Sequence, residues 1–383
     1  MGMTPNRICI VAPAAWPVIS GSSEIKTVGG AEAQQCDLAR TLAGAGYQVS
    51  MICMDYGQPD AVEIAGVRVF KMHAPHSGLP VVRFIHPRFT SLWAAMRRAD
   101  ADIYYQRCSG VHTGYTAAFC RVHDRKFIFS AAHDADFEAD LPLVHYRRDK
   151  AIYMWGVRNA DAVVVQNPVQ AANCKALTGI NPILLGSCYV PPDSACADPK
   201  GYVLWAATLR TWKRPEFFVE LAKRLPQYRF RMVGGSDGET DYEPLREAAK
   251  ALPNLGFVGF VPHAEIEAQF NGARLFVNTS IYEGFPNTFL HSWARAIPTV
   301  SFVDTGSVVA GAQVVTQISE FDEMVRRVDL MMSNDDVWND AGRRGLACYQ
   351  QQHSVAAVLE EHGRIFARVL GSELNSLLAN NPT

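Results

Sequence analysis

At 383 residues the chain exceeds what one hydrophobic core usually organises, which predicts two domains. Apolar residues make up 48% and charged residues 19%, a balance that excludes a disordered chain, and a net charge of −2 argues against nucleic acid as the main partner. Nine scattered cysteines form no Cys-x-x-Cys pair and read as small buried hydrophobes in a reducing cytoplasm; no signal segment opens the chain and no run reaches membrane-spanning length, so any membrane contact is expected to be peripheral.

Short apolar runs alternate with helical patterns along the chain, which predicts parallel sheets covered on both faces, an α/β class. In the first half the runs are Arg7–Val11, Val49–Cys53, Ile103–Gln106, Lys126–Ser130, Ala162–Gln166 and Ile183–Leu185. After Lys200 the series restarts with Tyr202–Ala206, Arg229–Val233, Gly256–Val261, Leu275–Asn278 and Thr299–Val303. The proline-rich, polar stretch between them, Val190–Ser194 and Ala197–Gly201, reads as a linker. The expected organisation is a doubly wound domain over 1–190, a second over 200–353, and a terminal piece over 354–383 in which Ser354–Leu370 has a helical pattern.

The chemistry-bearing residues fall in loops at the carboxyl ends of these strands, where open α/β sheets bind ligands. After the opening strand, Val28-Gly29-Gly30-Ala31-Glu32 leads into a helix whose stripe is Leu38, Ala39, Leu42 and Ala45; glycine lets backbone approach a phosphate there, although an ordinary turn has the same sequence. Phe127–Ser130 runs into Ala131-Ala132-His133-Asp134-Ala135-Asp136, with polar groups that either face a ligand or cap a helix. After Tyr202–Ala206 comes Thr208-Leu209-Arg210-Thr211-Trp212-Lys213-Arg214-Pro215. Arg210 and Lys213 are suited to clamp two phosphates; alternatively Lys213 alone is functional and Arg210 and Arg214 are solvated. Met232-Val233-Gly234-Gly235-Ser236 and Gly259-Phe260-Val261-Pro262 present backbone groups to a ligand at the same sheet edge, with plain turns as the alternative. Last comes Leu275–Trp293, in which Glu283-Gly284-Phe285-Pro286-Asn287 joins a strand to a helix carrying His291: a carboxylate for sugar hydroxyls beside backbone amides for an anion.

The segment Arg83–Arg98 mixes four arginines with Phe84, Phe89, Leu92, Trp93 and Met96. A core-facing helix is the commoner meaning; a basic amphipathic helix on an anionic membrane is the other. Asp134-Ala135-Asp136 and Asp100-Ala101-Asp102 spell a tripeptide that binds metal in an unrelated transferase fold, but it is common by chance.

Taken together, the Gly29-Gly30 turn, the Arg210/Lys213 loop, the Glu283 block and His133 resemble the family 4 glycosyltransferases, over nearly the whole chain. The resemblance implies the GT-B architecture: two Rossmann-like doubly wound domains facing each other across a deep cleft, the first binding acceptor, the second binding nucleotide sugar, with the terminal helix returning to the first. It implies a retaining transferase that moves a sugar from a nucleoside diphosphate, most often UDP- or GDP-linked, to a saccharide or lipid-linked acceptor in bacterial surface glycan synthesis. Catalytic roles fall to His133, Arg210, Lys213 and Glu283. Donor contacts fall to Gly29, Gly30, Gly234, Gly235, Val261, Gly284, Phe285, Asn287 and His291, with protein cations in place of a metal and no other cofactor. Two positions depart from the family pattern: Thr208 stands where many relatives have Arg, and His291 where the second Glu normally accepts ribose hydroxyls. A nucleotide-sugar epimerase or hydrolase, or a catalytically degenerate partner subunit, is the competing expectation. A dinucleotide-dependent dehydrogenase is disfavoured because no Gly-x-Gly-x-x-Gly follows the first strand.

Overall fold

A computed structural model describes residues 7–21, 30–79, 82–193, 195–236, 242–262 and 265–371. They form two compact units: the chain up to Cys188 together with the segment from Val355, and Tyr189–Ser354.

The first unit is built on strands β1 (Arg7–Val11), β2 (Gln48–Cys53), β3 (Val62–Ile64), β4 (Val67–Lys71), β5 (Ile103–Arg107), β6 (Lys126–Ser130), β7 (Ala162–Val165) and β8 (Ile183–Leu184). They lie in the order β3-β4-β2-β1-β5-β6-β7-β8, parallel except for the β3–β4 hairpin. The helices are α1 (Trp16–Ser20), α2 (Gly30–Gly44), α3 (Thr90–Ala99), α4 (Val111–Val122), α5 (Arg147–Arg158) and α6 (Pro168–Thr178). Side chains alternate across the pleat. Cys9 and Val11 join Tyr104, Phe127 and Phe129 on one face, under α3, α4 and α5; Ile8 and Ile10 join Met51, Ile103 and Ile128 on the other, under α2. Helices α4 and α5 touch through their backbones, since a Cβ on Gly114 would meet Ile152 at 2.4 Å and one on Gly156 would meet the Gly114 nitrogen at 2.6 Å.

The basic segment after Arg83 resolves into an irregular turn, Phe84–Phe89, broken at His86, followed by α3. Leu92, Ala95 and Met96 are fully buried, and Trp93 packs edge-on against Phe119 at 5.1 Å, so the apolar stripe is a core face. The β3–β4 hairpin at the sheet edge was not apparent from the sequence pattern.

In the second unit, β9 (Tyr202–Ala206), β10 (Phe230–Val233), β11 (Leu255–Gly259), β12 (Ala273–Asn278) and β13 (Thr299–Ser301) form a parallel sheet. A small hairpin, β14 (Val308–Val309) with β15 (Ala312–Gln313), precedes the edge strand β16 (Thr316–Gln317), giving the order β11-β10-β9-β12-β13-β16. The helices are α7 (Pro215–Arg224), α8 (Glu243–Lys250), α9 (Ile266–Asn271), α10 (Asn287–Trp293), α11 (Phe321–Ser333) and α12 (Asp335–Cys348). Val203, Trp205, Leu275 and Val277 face one layer and Leu204, Ala206 and Phe276 the other. The last helix, α13 (Val355–Leu370), buries Val358, Ile365 and Phe366 in the core of the first unit, where Phe366 meets Tyr47 at 5.8 Å. Among the described residues no helix is long and apolar enough to cross a membrane.

Candidate active site

Four strand-end loops of the second unit are tied together by hydrogen bonds. The loop after β9 carries Arg210 and, in a single tight turn, Thr211–Lys213, before Pro215 opens α7. Leu209 N–H donates to Gly235 O at 2.9 Å, and Gly234 N–H donates to Gly259 O at 2.9 Å, so the loops after β9, β10 and β11 form one surface. A Cβ at 234 would sit 1.9 Å from the Ala207 carbonyl oxygen, which is why glycine stands there. Val261 is partly buried against the apolar layer beside it.

The fourth loop follows β12. Trp205 Nε1 donates to Thr279 Oγ1 at 2.9 Å, and that hydroxyl donates to Lys213 O at 2.6 Å. Ile281 N–H reaches Trp212 O at 2.8 Å. Backbone position and side-chain chemistry therefore meet at one place: Lys213 Nζ pairs with Glu283 Oε1, with 19% and 14% of their side chains exposed. The same oxygen accepts from Ser280 Oγ at 2.7 Å and lies 3.4 Å from Asn278 Nδ2. This is a cation and a carboxylate that hold each other in a half-buried loop pair, with both able to exchange their partner for a ligand.

The two arginines of the first loop differ. Arg210 is half-buried, with its guanidinium over the Trp212 ring at 5.0 Å. Arg214 is not solvated: its backbone has φ +46°, its Nε donates to Thr279 O at 2.7 Å, and its guanidinium lies between Phe217 and Phe302 at 4.5 and 4.1 Å. It fastens the two loops to each other.

Phe285 is buried against Trp293 and His353, and Pro286 precedes the first turn of α10. Glu283 therefore stands four residues before the first residue of α10. His291, one turn further along α10, is 8% exposed and sits between Tyr189 and Phe270 at ring distances of 4.4 and 5.0 Å. Its Nδ1 lies 3.0 Å from Glu267 Oε1. The other oxygen of Glu267 accepts from Arg295 Nη2 at 2.5 Å and Tyr189 Oη at 2.7 Å. Burial pushes the Glu267 carboxyl up, but His291, Tyr189 and Arg295 outweigh it and hold the group down at about 2. Sequence reasoning missed Glu267, Tyr189 and Arg295, because they come from three segments; the lone signal was the histidine in an acidic residue's place.

In the first unit, His133 caps the short turn Asp134–Phe137: its Nδ1 accepts from Ala135 N–H at 3.1 Å. Nδ1 being the acceptor, Nε2 carries the proton of the neutral ring. Asp136 is 1% exposed and accepts from Ala132, His133 and Ser109 N–H, and Asp134 accepts from Asn167 and Gln170. Both carboxylates hold local structure. Gly30 begins α2, while Gly29 lies outside the described residues. Nothing brings the chemistry-bearing acids into a metal-holding cluster among the described residues.

Two family models match, "Glycosyl transferase 4-like domain" over residues 29–183 and "Glycosyl transferases group 1" over residues 191–345. The chain belongs to the family 4-like glycosyltransferases. The transferase is 27% identical over 161 residues to the O-antigen chain mannosyltransferase B of Escherichia coli, covering 40% of this chain and 42% of that one. It spans between 21% and 42% of the length of the curated relatives it matches. Its fold is that of sucrose-phosphate synthase from Thermosynechococcus elongatus, at a TM-score of 0.74 and 14% identity, over 96% of this chain and 99% of that structure. The catalytic domain of starch synthase IV from Arabidopsis thaliana, solved with ADP and acarbose, gives 0.66 and 10% over 96% and 100%. The transferase thus has the GT-B fold.

Proposed function

We propose that this glycosyltransferase moves a sugar from a nucleoside diphosphate to a hydroxyl of a saccharide or lipid-linked acceptor, retaining the donor's anomeric configuration. The observation that carries this reading is the Lys213–Glu283 pair at the meeting of the loops after β9 and β12. A diphosphate takes Lys213 from Glu283, and the released carboxylate accepts hydroxyl hydrogen bonds from the sugar. Lys213 and Arg210 then neutralise charge on the departing diphosphate, where a preorganised donor is most effective. The amides of Gly284, Phe285 and Asn287 supplement them, and the loops at Gly234-Gly235 and Val261 take the base. His291 offers one ring nitrogen to the ribose, its other nitrogen being held by Glu267.

The acidic groups of the first unit's turn are occupied by backbone amides and side-chain amides, which supports a front-face reaction over a covalent glycosyl-enzyme. In that reaction the acceptor oxygen bonds to the anomeric carbon on the face from which diphosphate leaves, and a diphosphate oxygen takes the acceptor proton. His133 Nε2–H is assigned to the donor sugar near that carbon, and the Gly29-Gly30 amides to the phosphate. The reading is metal-independent: turnover should be unchanged by EDTA, and a strict Mn²⁺ or Mg²⁺ requirement would overturn it. A surface-polysaccharide destination is supported by likeness to the O-antigen mannosyltransferase.

The test is thermal shift of the metal-free protein with UDP, GDP, ADP and dTDP, alongside Lys213→Ala. One nucleotide should stabilise the wild type, UDP or GDP by expectation, and fail to stabilise the variant. No response to any nucleotide would point instead to a degenerate donor site.

A further inference from the structure

The first unit contains a small, partly open pocket at the carboxyl ends of β5, β6 and β7. It is lined by Gln34 of α2, Arg107, Ser130, Gln166, Ser187 and His362 of α13, with Tyr105 at its base. Arg107 is 8% exposed. Its guanidinium reaches two neutral hydroxyls, Ser130 from Nη1 at 3.4 Å and Tyr105, and its Nε is buried without a partner. Among the described residues no carboxylate forms an ion pair with it, and the acidic side chain of Asp136 nearby is held by Ser109, Ala132 and His133 amides. Removing a guanidinium from water without a counter-charge costs several kcal/mol, far more than a satisfied hydrogen bond returns.

Two other polar atoms of the lining residues are buried and unpartnered. Gln166 donates from Nε2 to Ser187 Oγ at 2.5 Å, which leaves its buried Oε1 bare. His362 Nδ1 lies 2.8 Å from Val358 O, and burial holds the ring down to about 4, so at neutral pH it is uncharged with Nδ1–H donating. Its buried Nε2 is therefore a lone pair without a donor. The lining thus presents one cation and two acceptors. Water satisfies the acceptors but leaves the cation without a counter-charge.

We propose that this cavity binds a hydroxylated oxyanion, with the anionic oxygens on Arg107 and hydroxyl groups on Gln166 and His362, and that it anchors an acceptor carrying a carboxylate or phosphate. The acceptor assignment rests on the transferase reading above; the anion site itself does not.

The test is calorimetric titration of the full chain with sn-glycerol 3-phosphate, glucuronate and inorganic phosphate, with glycerol and glucose as uncharged controls. At least one hydroxylated anion should bind saturably and the uncharged controls should not. Arg107→Gln should weaken that binding roughly 10- to 100-fold, as expected for losing a charged hydrogen-bonding partner. Ser130→Asp, which places a carboxylate against Nη1, should keep the fold and abolish anion binding. Response to the nucleoside diphosphate should be unchanged in both variants. Preference for glycerol phosphate identifies a phosphorylated acceptor and preference for glucuronate an acidic sugar. Binding of inorganic phosphate as tight as the hydroxylated anions would overturn the roles of Gln166 and His362. Absence of saturable binding, or equal binding in wild type and Ser130→Asp, would overturn the site, and the latter comparison holds even if Arg107→Gln does not fold. A wild type that binds anion but no nucleotide would overturn the donor reading while leaving this cavity standing.

Discussion

Each unit carries a half-buried or buried cation at the carboxyl edge of its parallel sheet, and the two cations are treated oppositely. Lys213 has a carboxylate in contact, and that carboxylate also takes Ser280 and Asn278. Arg107 has a neutral hydroxyl at 3.4 Å and a bare Nε. The first arrangement is self-neutralising, so a ligand must exchange for a partner already present. The second is incomplete by one negative charge. The difference teaches that a paired ligand-binding cation tolerates an empty site, whereas an unpaired one ties local stability to occupancy.

The sharpest way to break the comparison is Lys213→Ala. Under the proposed mechanism turnover should fall by about 10²–10³, the usual effect of removing one preorganised donor to a developing oxyanion. The fold should survive, because Glu283 keeps Ser280 and Asn278 and is not deeply buried. Steady-state kinetics with the nucleotide sugar identified by thermal shift measures it. A variant with wild-type turnover would remove Lys213 from the chemistry.

A second perturbation asks what holds the site's floor. Arg295 has no exposed side-chain surface and joins Glu267, Tyr189 and His291. Arg295→Ala should destabilise the protein by about 3 kcal/mol, the low end for breaking a buried charged pair, as followed by chemical denaturation. Acid sensitivity sharpens this. Glu267 is held at about 2 against an ordinary 4.5, so its contribution is fully present above 4.5 and is lost as pH falls toward 2. Wild type should lose stability through that window, and Glu267→Gln should flatten the loss there. Parallel pH profiles for the two proteins would show that the cluster adds nothing.

How much of this was legible beforehand follows from what pattern can encode. The parallel strands and their loops were visible, because Ile8, Ile10 and their neighbours are apolar on both faces of the pleat, and Lys213 and Glu283 stand where strand gives way to helix. The β3–β4 hairpin at the sheet edge was not, since its strands carry outward-facing charged residues, Glu63 and Arg68, and β3 is only three residues long. Arg214 looked like another surface cation, and only the approach of Phe302, far along the chain, makes it a fastener. The Glu267 cluster and the Arg107 cavity are assembled from residues distant in sequence, and no spacing rule reports an atom that lacks a partner.

The smallest effect tests whether the loop after β12 positions Lys213 or merely neighbours it. Thr279 Oγ1 both accepts from Trp205 Nε1 and donates to Lys213 O, so one hydroxyl fixes the lysine's backbone to the sheet. Thr279→Val keeps the shape and removes both bonds, leaving a buried indole N–H and a carbonyl unpaired; the cost should be about 1–2 kcal/mol. If the hydroxyl positions Lys213, kcat should also fall, since a small misplacement of a charge-stabilising group weakens transition-state contacts more than ground-state ones. Thr279→Ser should restore both stability and kcat, because it restores the hydroxyl alone. Valine at 279 with reduced stability and unchanged kcat would assign Thr279 to the fold, and would mean that Lys213 takes its place from Glu283 rather than from its own backbone.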